Sequence, residues 1–282
     1  VLAHLLHSAF WFFPFFISNF VEQKYTFLLH KPFFDTLFVG RSIIELERTD
    51  STNNFAAKLL NTQKPAEGTA IMTHIQEAGK GQRGNTWQSE AHKNLTVSFI
   101  FYPTFVSANK QFTLNIAISL GLHDYFKAEF GDRVKIKWPN DLYIDHKKVA
   151  GILIENIWSG SGLKSSIVGM GININQESFG EDLQKAASKK SFSGKEYPLK
   201  EELHAVSSFL EARYLQLKAG KLDLQRASYI NALYQYQEVA TYQSGDLTFQ
   251  GKIQDITADG KLCIHKEDGT EGMYDLKEII FR

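Results

Sequence analysis

Three stretches of this chain carry side chains whose types and spacing suit chemistry on carboxylate or phosphate oxygens. The first, Gly79-Lys80-Gly81-Gln82-Arg83-Gly84, sets two cations among three glycines, with Trp87 just beyond. Glycines let backbone N–H groups approach oxygens closely, so such a loop can cradle an anion. It satisfies G-x-G-x-x-G literally, yet no helix follows to aim its N-terminus at a pyrophosphate; Asn85 to Glu90 leads through a polar loop into another strand. The P-loop pattern fails as well, because Asn85 stands where its lysine belongs. A solvated turn is the alternative; the two cations favour anion binding.

The second stretch, Lys135-Ile136-Lys137-Trp138-Pro139-Asn140-Asp141, ends a strand with cations, an amide and a carboxylate, and the hairpin after it brings Lys148 back alongside. Strict alternation puts Lys148 on a face with Ala150, Ile152 and Ile154, and Val149, Gly151 and Leu153 on the other. Both faces are apolar, so the strand is buried with Lys148 at its mouth. Two readings stay open there: a lysine snorkelling to water, or a cleft lysine beside Asp141. In the third stretch, Gly169 to Asn175, two glycines within a strand suggest close approach of a ligand or of another backbone, with Asn173 and Asn175 sharing one face.

These groups need a scaffold, and the patterning supplies one. Ile43 to Glu47 reads as a strand, and Asp50 to Asn54 offers several N-caps before the apolar run Phe55, Ala56, Leu59, Leu60. Strands are expected over Thr69 to Gln76, Asn94 to Tyr102, Val134 to Trp138 and Lys164 to Asn175, with a hairpin over Leu142 to Asn156 turning at Asp145-His146. Helical spacing marks Phe112 to Phe126, Lys200 to Leu217 and Leu222 to Tyr234. After Gln237 the pattern changes to short strands separated by Ser244-Gly245-Asp246, Ala258-Asp259-Gly260 and Glu267-Asp268-Gly269, the spacing of a small β-barrel. The expected class is α+β: a mixed sheet flanked by helices over residues 38–236, then a small barrel over 237–282.

Composition narrows the function. Among 282 residues, Lys+Arg and Asp+Glu both number 31, so the basic excess of a general nucleic-acid binder is absent. The one cysteine, Cys263, permits neither an intramolecular disulfide nor a Cys-based zinc site, and it sits in an alternating segment as a small core residue. Residues 1–37 form a Phe-rich extension. Its apolar stretch, Leu5 to Phe20, is interrupted by Ser8, Pro14, Ser18 and Asn19 and is too short for a membrane span. It is expected to be an upstream extension from a misplaced start, outside the fold, with a membrane-surface anchor as the alternative.

Taken together and in order, these motifs resemble the biotin protein ligases: Asp50-Ser51-Thr52-Asn53, Gln76 to Trp87, Lys137-Trp138-Pro139-Asn140-Asp141-Leu142-Tyr143, Lys148 to Glu155, and Gly169 to Asn173. The resemblance spans roughly Phe38 to Arg282. It implies a catalytic domain related to class II synthetases, followed by an SH3-like barrel. It also implies a cytoplasmic enzyme that joins biotin to ATP as an acyl-adenylate, with Mg²⁺, and passes biotin to a lysine of a biotin carboxyl carrier protein domain, with neither nucleic acid nor membrane as partner. By resemblance Ser51, Thr52, Asn53 and Gln76 would hold the biotin rings. Lys80, Gly81, Gln82 and Arg83 would fold over the ligand, ordered by Trp87. Lys148 would bond the biotin carboxylate and α-phosphate, with Arg83 and Asp141 also catalytic and Asn140 and Asn173 near the nucleotide.

Such chemistry needs no enzyme nucleophile, only positive charge where phosphoryl charge develops. Two departures matter. The family usually carries a basic residue where Gln82 stands, and the residues before Phe38 are too few and too aromatic for a DNA-binding winged helix, so no repressor activity is expected. A lipoate ligase or transferase of the same fold, or a non-catalytic biotin sensor, are the competing functions; Trp138 to Asp141 argues against the first and Lys148 against the second.

Overall fold

The computed structural model describes residues 36–282 apart from Ser161, with the backbone alone at Arg83 and Asp182. The Phe-rich stretch Leu5 to Phe20 lies outside the described residues. Where the description begins, the backbone amides of Leu37, Phe38 and Val39 all donate to the buried carboxylate of Glu211, at 2.7, 2.8 and 3.0 Å.

Strand β1 (Ile43–Thr49) enters helix α1 (Thr52–Thr62), whose N-cap is Ser51. The helix returns the chain to β2 (Ala70–Gln76), which pairs parallel with β1. Strand β3 (Leu95–Phe101) joins β2 antiparallel and is buried throughout. Helix α2 (Phe112–Phe130) leads to β4 (Val134–Lys137), β5 (Asp141–Ile144), β6 (Lys147–Ser159) and β7 (Gly162–Ile172). These four strands form an antiparallel meander whose last member returns to β3, giving the order β1-β2-β3-β7-β6-β5-β4. A one-turn helix, α3 (Lys189–Ser193), precedes α4 (Leu199–Lys218) and α5 (Leu222–Asn231).

The pleat assigns the two faces different work. Val97, Phe99 and Phe101 of β3, with Ala70 and Met72 of β2, pack against α2 and α4 in the main core. Helix α2 is buried on nearly every side, and Gly121 lies where it crosses α4: a side chain there would come within 2.9 Å of the Leu210 Cα. On the opposite face Ala56 of α1 covers Ile71, Ile100 and Ile167. Beyond that cluster the residues become small or polar, with Thr96, Ser98, Gly151, Gly169 and Gly171, so this part of the sheet is left free to line a cavity.

Five more strands follow: β8 (Ala240–Ser244), β9 (Leu247–Ile256), β10 (Leu262–Lys266), β11 (Glu271–Tyr274) and β12 (Ile280–Phe281). They make an antiparallel sheet in the order β11-β10-β9-β8-β12 around Tyr242, Ile253, Ile256, Leu262 and Ile264. The turn signals read from sequence fall where Gly245, Gly260 and Gly269 adopt positive φ. This sheet abuts the larger one through the indole N–H of Trp138, which donates to the Gly260 carbonyl at 3.0 Å.

Several element ends differ from the sequence expectation, helix α2 running on to Phe130 among them, and two of the differences have a cause in the backbone hydrogen bonds. Helix α5 stops at Asn231 rather than Tyr234, because Ala232 to Tyr234 turn back to pair with β4: Ile136 N–H donates to Ala232 O and Tyr234 N–H to Ile136 O. Strand β7 ends at Ile172 rather than Asn175: Asn173 N–H still donates to Val149 O of β6, but its carbonyl accepts from Lys189 N–H and Asn175 N–H donates to Lys93 O. The α3 turn, capped reciprocally by Ser188 and Ser191, carried too short a pattern to be read.

Candidate active site

The cavity between the open face of the large sheet and the C-terminal strands has a volume of about 610 Å³. Part of its lining is polar and already knit together. The Thr52 amide donates to the Gln76 side-chain carbonyl at 3.0 Å, and the Ser98 hydroxyl lies 2.7 Å from Thr52 Oγ1 and 2.6 Å from Asn53 Oδ1. The Asn53 amide then donates to Glu155 at 2.7 Å. Ser51, Thr52 and Asn53 are buried, and Ser51 caps α1 through its backbone without spending its hydroxyl on the cap. Asp50 is held at a pKa of about 2 by hydrogen bonds from the Asn54 amide and from backbone at Ser51.

Cations line the cavity as well. Lys80, Lys137, Lys148 and Lys277 line the cavity, against one acidic residue among the described lining, Asp141. Lys148 Nζ is 2.7 Å from Asp141 Oδ2 and 5.7 Å from the centre of the Trp87 ring. Lys137 Nζ lies over the rings of Tyr143 and Phe281, at 5.4 and 5.0 Å, and burial lowers its pKa from the ordinary lysine range. Lys80 instead reaches outward to the Asn54 side-chain oxygen at 2.6 Å.

Lys148 does not lie where strict alternation puts it. Leu142 pairs with Ala150 but Tyr143 pairs with Lys148, so Val149 is an extra residue in β6. A bulge of one residue reverses side-chain parity, so Val149 and Ala150 both enter the core while Lys148 joins Gly151 on the cavity side. The bulge is held from outside: Lys148 N–H donates to Lys185 O at 2.6 Å, and Ala187 N–H to Lys148 O at 2.9 Å. The segment from Trp138 to Asn140 is fixed as firmly. The Pro139 carbonyl accepts from the Asn115 amide at 2.9 Å and the Tyr229 hydroxyl at 2.5 Å, and the buried Asn140 amide donates to Ile152 O.

Trp87 is seated by glycines. A Cβ on Gly171 would lie 2.5 Å from its Cζ2, and one on Gly151 would lie 3.3 Å from its Cζ3, so this half-buried indole occupies space that side chains would fill. Its buried Nε1 has no hydrogen-bond partner among the described residues. The loop bearing it is pinned at its base, where Trp87 N–H donates to Gly79 O at 3.0 Å and Gly81 N–H to Asn85 O at 2.7 Å.

The structure thus gathers Ser51, Thr52, Asn53, Gln76, Lys80, Gly81, Gln82, Trp87, Asn140, Asp141 and Lys148 around one cavity. It does not bring Asn173 there. That side chain is buried and donates to Ala187 O at 3.1 Å, fixing the segment that holds the Lys148 bulge. Arg83 lies in a one-turn 3₁₀ segment, Gln82–Gly84, and its side chain is outside the description. Sequence reasoning overlooked Leu276, Lys277, Ile279, Ile280 and Phe281, which line the cavity from the C-terminal unit. Their signal was faint: one lysine among apolar residues, with no motif around it.

Comparisons with known proteins agree with this geometry. Residues 45–173 match the Biotin/lipoate A/B protein ligase family, and residues 238–280 match the Biotin protein ligase C terminal domain. The chain belongs to the biotin protein ligases. Among its relatives, the bifunctional ligase/repressor BirA of Bacillus spizizenii is 28% identical over 245 residues, 85% of this chain and 74% of that protein. The biotin–[acetyl-CoA-carboxylase] ligase of Paracoccus denitrificans is 37% identical over 132 residues, 46% of this chain and 53% of that one. The biotin protein ligase of Aquifex aeolicus, solved with biotin and ATP, superposes with a TM-score of 0.71 at 26% identity, covering 86% of this chain and 99% of that one. The expected architecture is therefore borne out, a class II synthetase-like sheet followed by a small SH3-like unit. No helix among the described residues is long and apolar enough to cross a membrane.

Proposed function

We propose that this chain is an ATP-dependent ligase that converts biotin to biotinyl-5′-adenylate and transfers the biotinyl group to a lysine of a carrier domain such as that of acetyl-CoA carboxylase. One observation carries the reading: a single cavity is lined both by a pre-bonded polar cluster, Ser51, Thr52, Asn53 and Gln76, and by four lysines with one aspartate. The polar cluster suits the uncharged rings of biotin. The lysines suit a carboxylate and a triphosphate that would otherwise repel each other.

In this account Ser51, Thr52, Asn53 and Gln76 hold the rings, and their hydrogen bonds to one another keep them in place before the ligand arrives. Lys148 bridges the carboxylate and the α-phosphate, leaving Asp141 as substrate oxygens take its ammonium. Lys80 and the Arg83 side chain add charge as the loop folds over. Biotin's carboxylate oxygen then bonds to the α-phosphorus while pyrophosphate departs. In the second step the carrier amine attacks the anhydride carbonyl, and AMP leaves.

Mg²⁺ would sit mainly on the phosphates of ATP, as it does where one or two carboxylates suffice, and Asp141 is the carboxylate placed to join it. Trp87 and the Gly79 to Gly84 loop exclude water from the anhydride. The division into an extension over 1–37, a catalytic domain over 38–236 and a C-terminal unit over 237–282, and a cytoplasmic location, belong to the same proposal. Biotin-dependent exchange of labelled pyrophosphate into ATP tests it. Exchange only when biotin is present is expected; none, or exchange driven equally by lipoate, would overturn it.

A further inference from the structure

Away from the cavity, three side chains from separate segments converge at the β1 edge of the large sheet. Glu47 comes from β1, His74 from β2, and His92 from the loop that enters β3. One ligand atom from each lies within 4.8 Å of the others. None of the three lines the cavity. We propose that they form a Zn²⁺ site in which water takes the fourth position.

The donor set is the first reason. Two imidazoles and one carboxylate with an open position suit Zn²⁺, whereas Mg²⁺ and Ca²⁺ call for oxygen ligands. Zinc bonds of roughly 2.0–2.2 Å in a tetrahedron separate the ligand atoms by about 3.3 Å. The three atoms therefore need to close by on the order of 1.5 Å at most, which rotation of the exposed Glu47 and His92 side chains supplies.

His74 is the second reason. Its Nε2 lies 2.9 Å from Glu45 Oε1, and Glu45 is itself steadied by Lys200 at 2.9 Å. Metal-bound histidines commonly give their remote N–H to a carboxylate in this way, which leaves the other nitrogen with a free lone pair. That other nitrogen, Nδ1, is buried and has no hydrogen-bond partner among the described residues. Buried polar atoms are nearly always satisfied, so an ordinary surface ion pair leaves it unexplained.

The third reason is backbone. His92 has φ +60°, a left-handed conformation that glycine adopts freely and other residues at a cost. In that conformation its N–H donates to the His74 carbonyl at 3.2 Å, and the two rings stack with centroids 4.8 Å apart. Its Nε2 then lies 3.1 Å from Glu47 Oε1. Imidazole at this position is therefore held beside the other two ligands despite the strain. A bound ion would tie β1 and β2 to the loop that enters β3.

The test is Zn²⁺ titration of the metal-stripped full chain, followed by calorimetry and by thermal melting. We expect one Zn²⁺ per chain with a micromolar or tighter dissociation constant, a raised melting temperature, and no displacement by millimolar Mg²⁺. His92→Gly suits the left-handed backbone and keeps the fold, so it should melt normally without metal, bind Zn²⁺ at least tenfold more weakly and lose the zinc-dependent rise. His74→Gln should do the same. Equal Zn²⁺ affinity in the wild type and His92→Gly, or no bound equivalent in the wild type, would overturn the site.

Discussion

Gly171 offers a sharp test of how the loop retains its intermediate. An alanine there would put its Cβ within 2.5 Å of Trp87 Cζ2, a separation no relaxed structure tolerates. The atoms met are all at the end of a loop side chain rather than in the sheet, so the indole should yield and β7 should stand. An indole exposes roughly 200 Å², and about half of that is taken as covered in the glycine cradle. At about 25 cal/mol per Å² its seat contributes about 2.5 kcal/mol, on the order of 70-fold in the ratio of closed to open loop. Gly171→Ala should therefore release biotinyl-adenylate tens of times faster, with the melting temperature within a few degrees of wild type. Stopped-flow release of the adenylate measures it. A double-mutant cycle isolates the cause, since Gly171→Ala added to Trp87→Ala should have little further effect. Wild-type release rates in Gly171→Ala, or full additivity in the cycle, would refute the reasoning.

Other outcomes follow from the same geometry. Lys148→Ala should slow adenylation at least about a hundredfold, because its charge acts where phosphoryl charge develops, while biotin binding weakens less; near-normal pyrophosphate release would contradict that role. Burial favours the neutral form of Lys137, so its charge disappears, as pH rises, below the range where an exposed lysine loses it. The alkaline limb of the pH–adenylation profile should consequently begin early, and Lys137→Arg, which cannot lose its proton, should move that limb upward; identical limbs would exclude Lys137. The stability consequence has the same sign: the unfolded chain binds the extra proton, so the Lys137 contribution improves as pH rises through that interval. Gln82→Arg should slow adenylate release several-fold with little change in adenylation rate, because a charge-assisted bond replaces a neutral one worth about 1 kcal/mol; equal off-rates would show that Gln82 has no such influence.

Most of the scaffold was legible because its signals are local. The β-branched and aromatic runs of β2 and β3 and the glycine turns of the last sheet depend on neighbours in sequence. The contents of the cavity depend on pairing, and there the sequence was less informative. Lys148 was rightly singled out as a group near Asp141, but the face it occupies follows from an extra residue, Val149, visible only once β5 and β6 are in register. Asn173 shows the converse: a polar residue beside a glycine pair reads as a ligand contact, and the bond of its amide to Ala187 O, which fixes the segment behind Lys148, leaves no trace in the sequence. Phe281 reaches the cavity through the packing of two sheets, and Glu47, His74 and His92 meet through strand pairing across 45 residues, so neither arrangement leaves a motif.

The central claim is transfer of biotin to a carrier lysine through an adenylate. Incubating the chain with ATP, Mg²⁺, biotin and a biotin carrier domain, and following the carrier by intact mass, tests it in one step. The account predicts a mass gain of one biotinyl group, dependent on ATP and abolished when the acceptor lysine of the carrier is replaced by arginine. An unmodified carrier in the presence of folded, biotin-binding protein would contradict it.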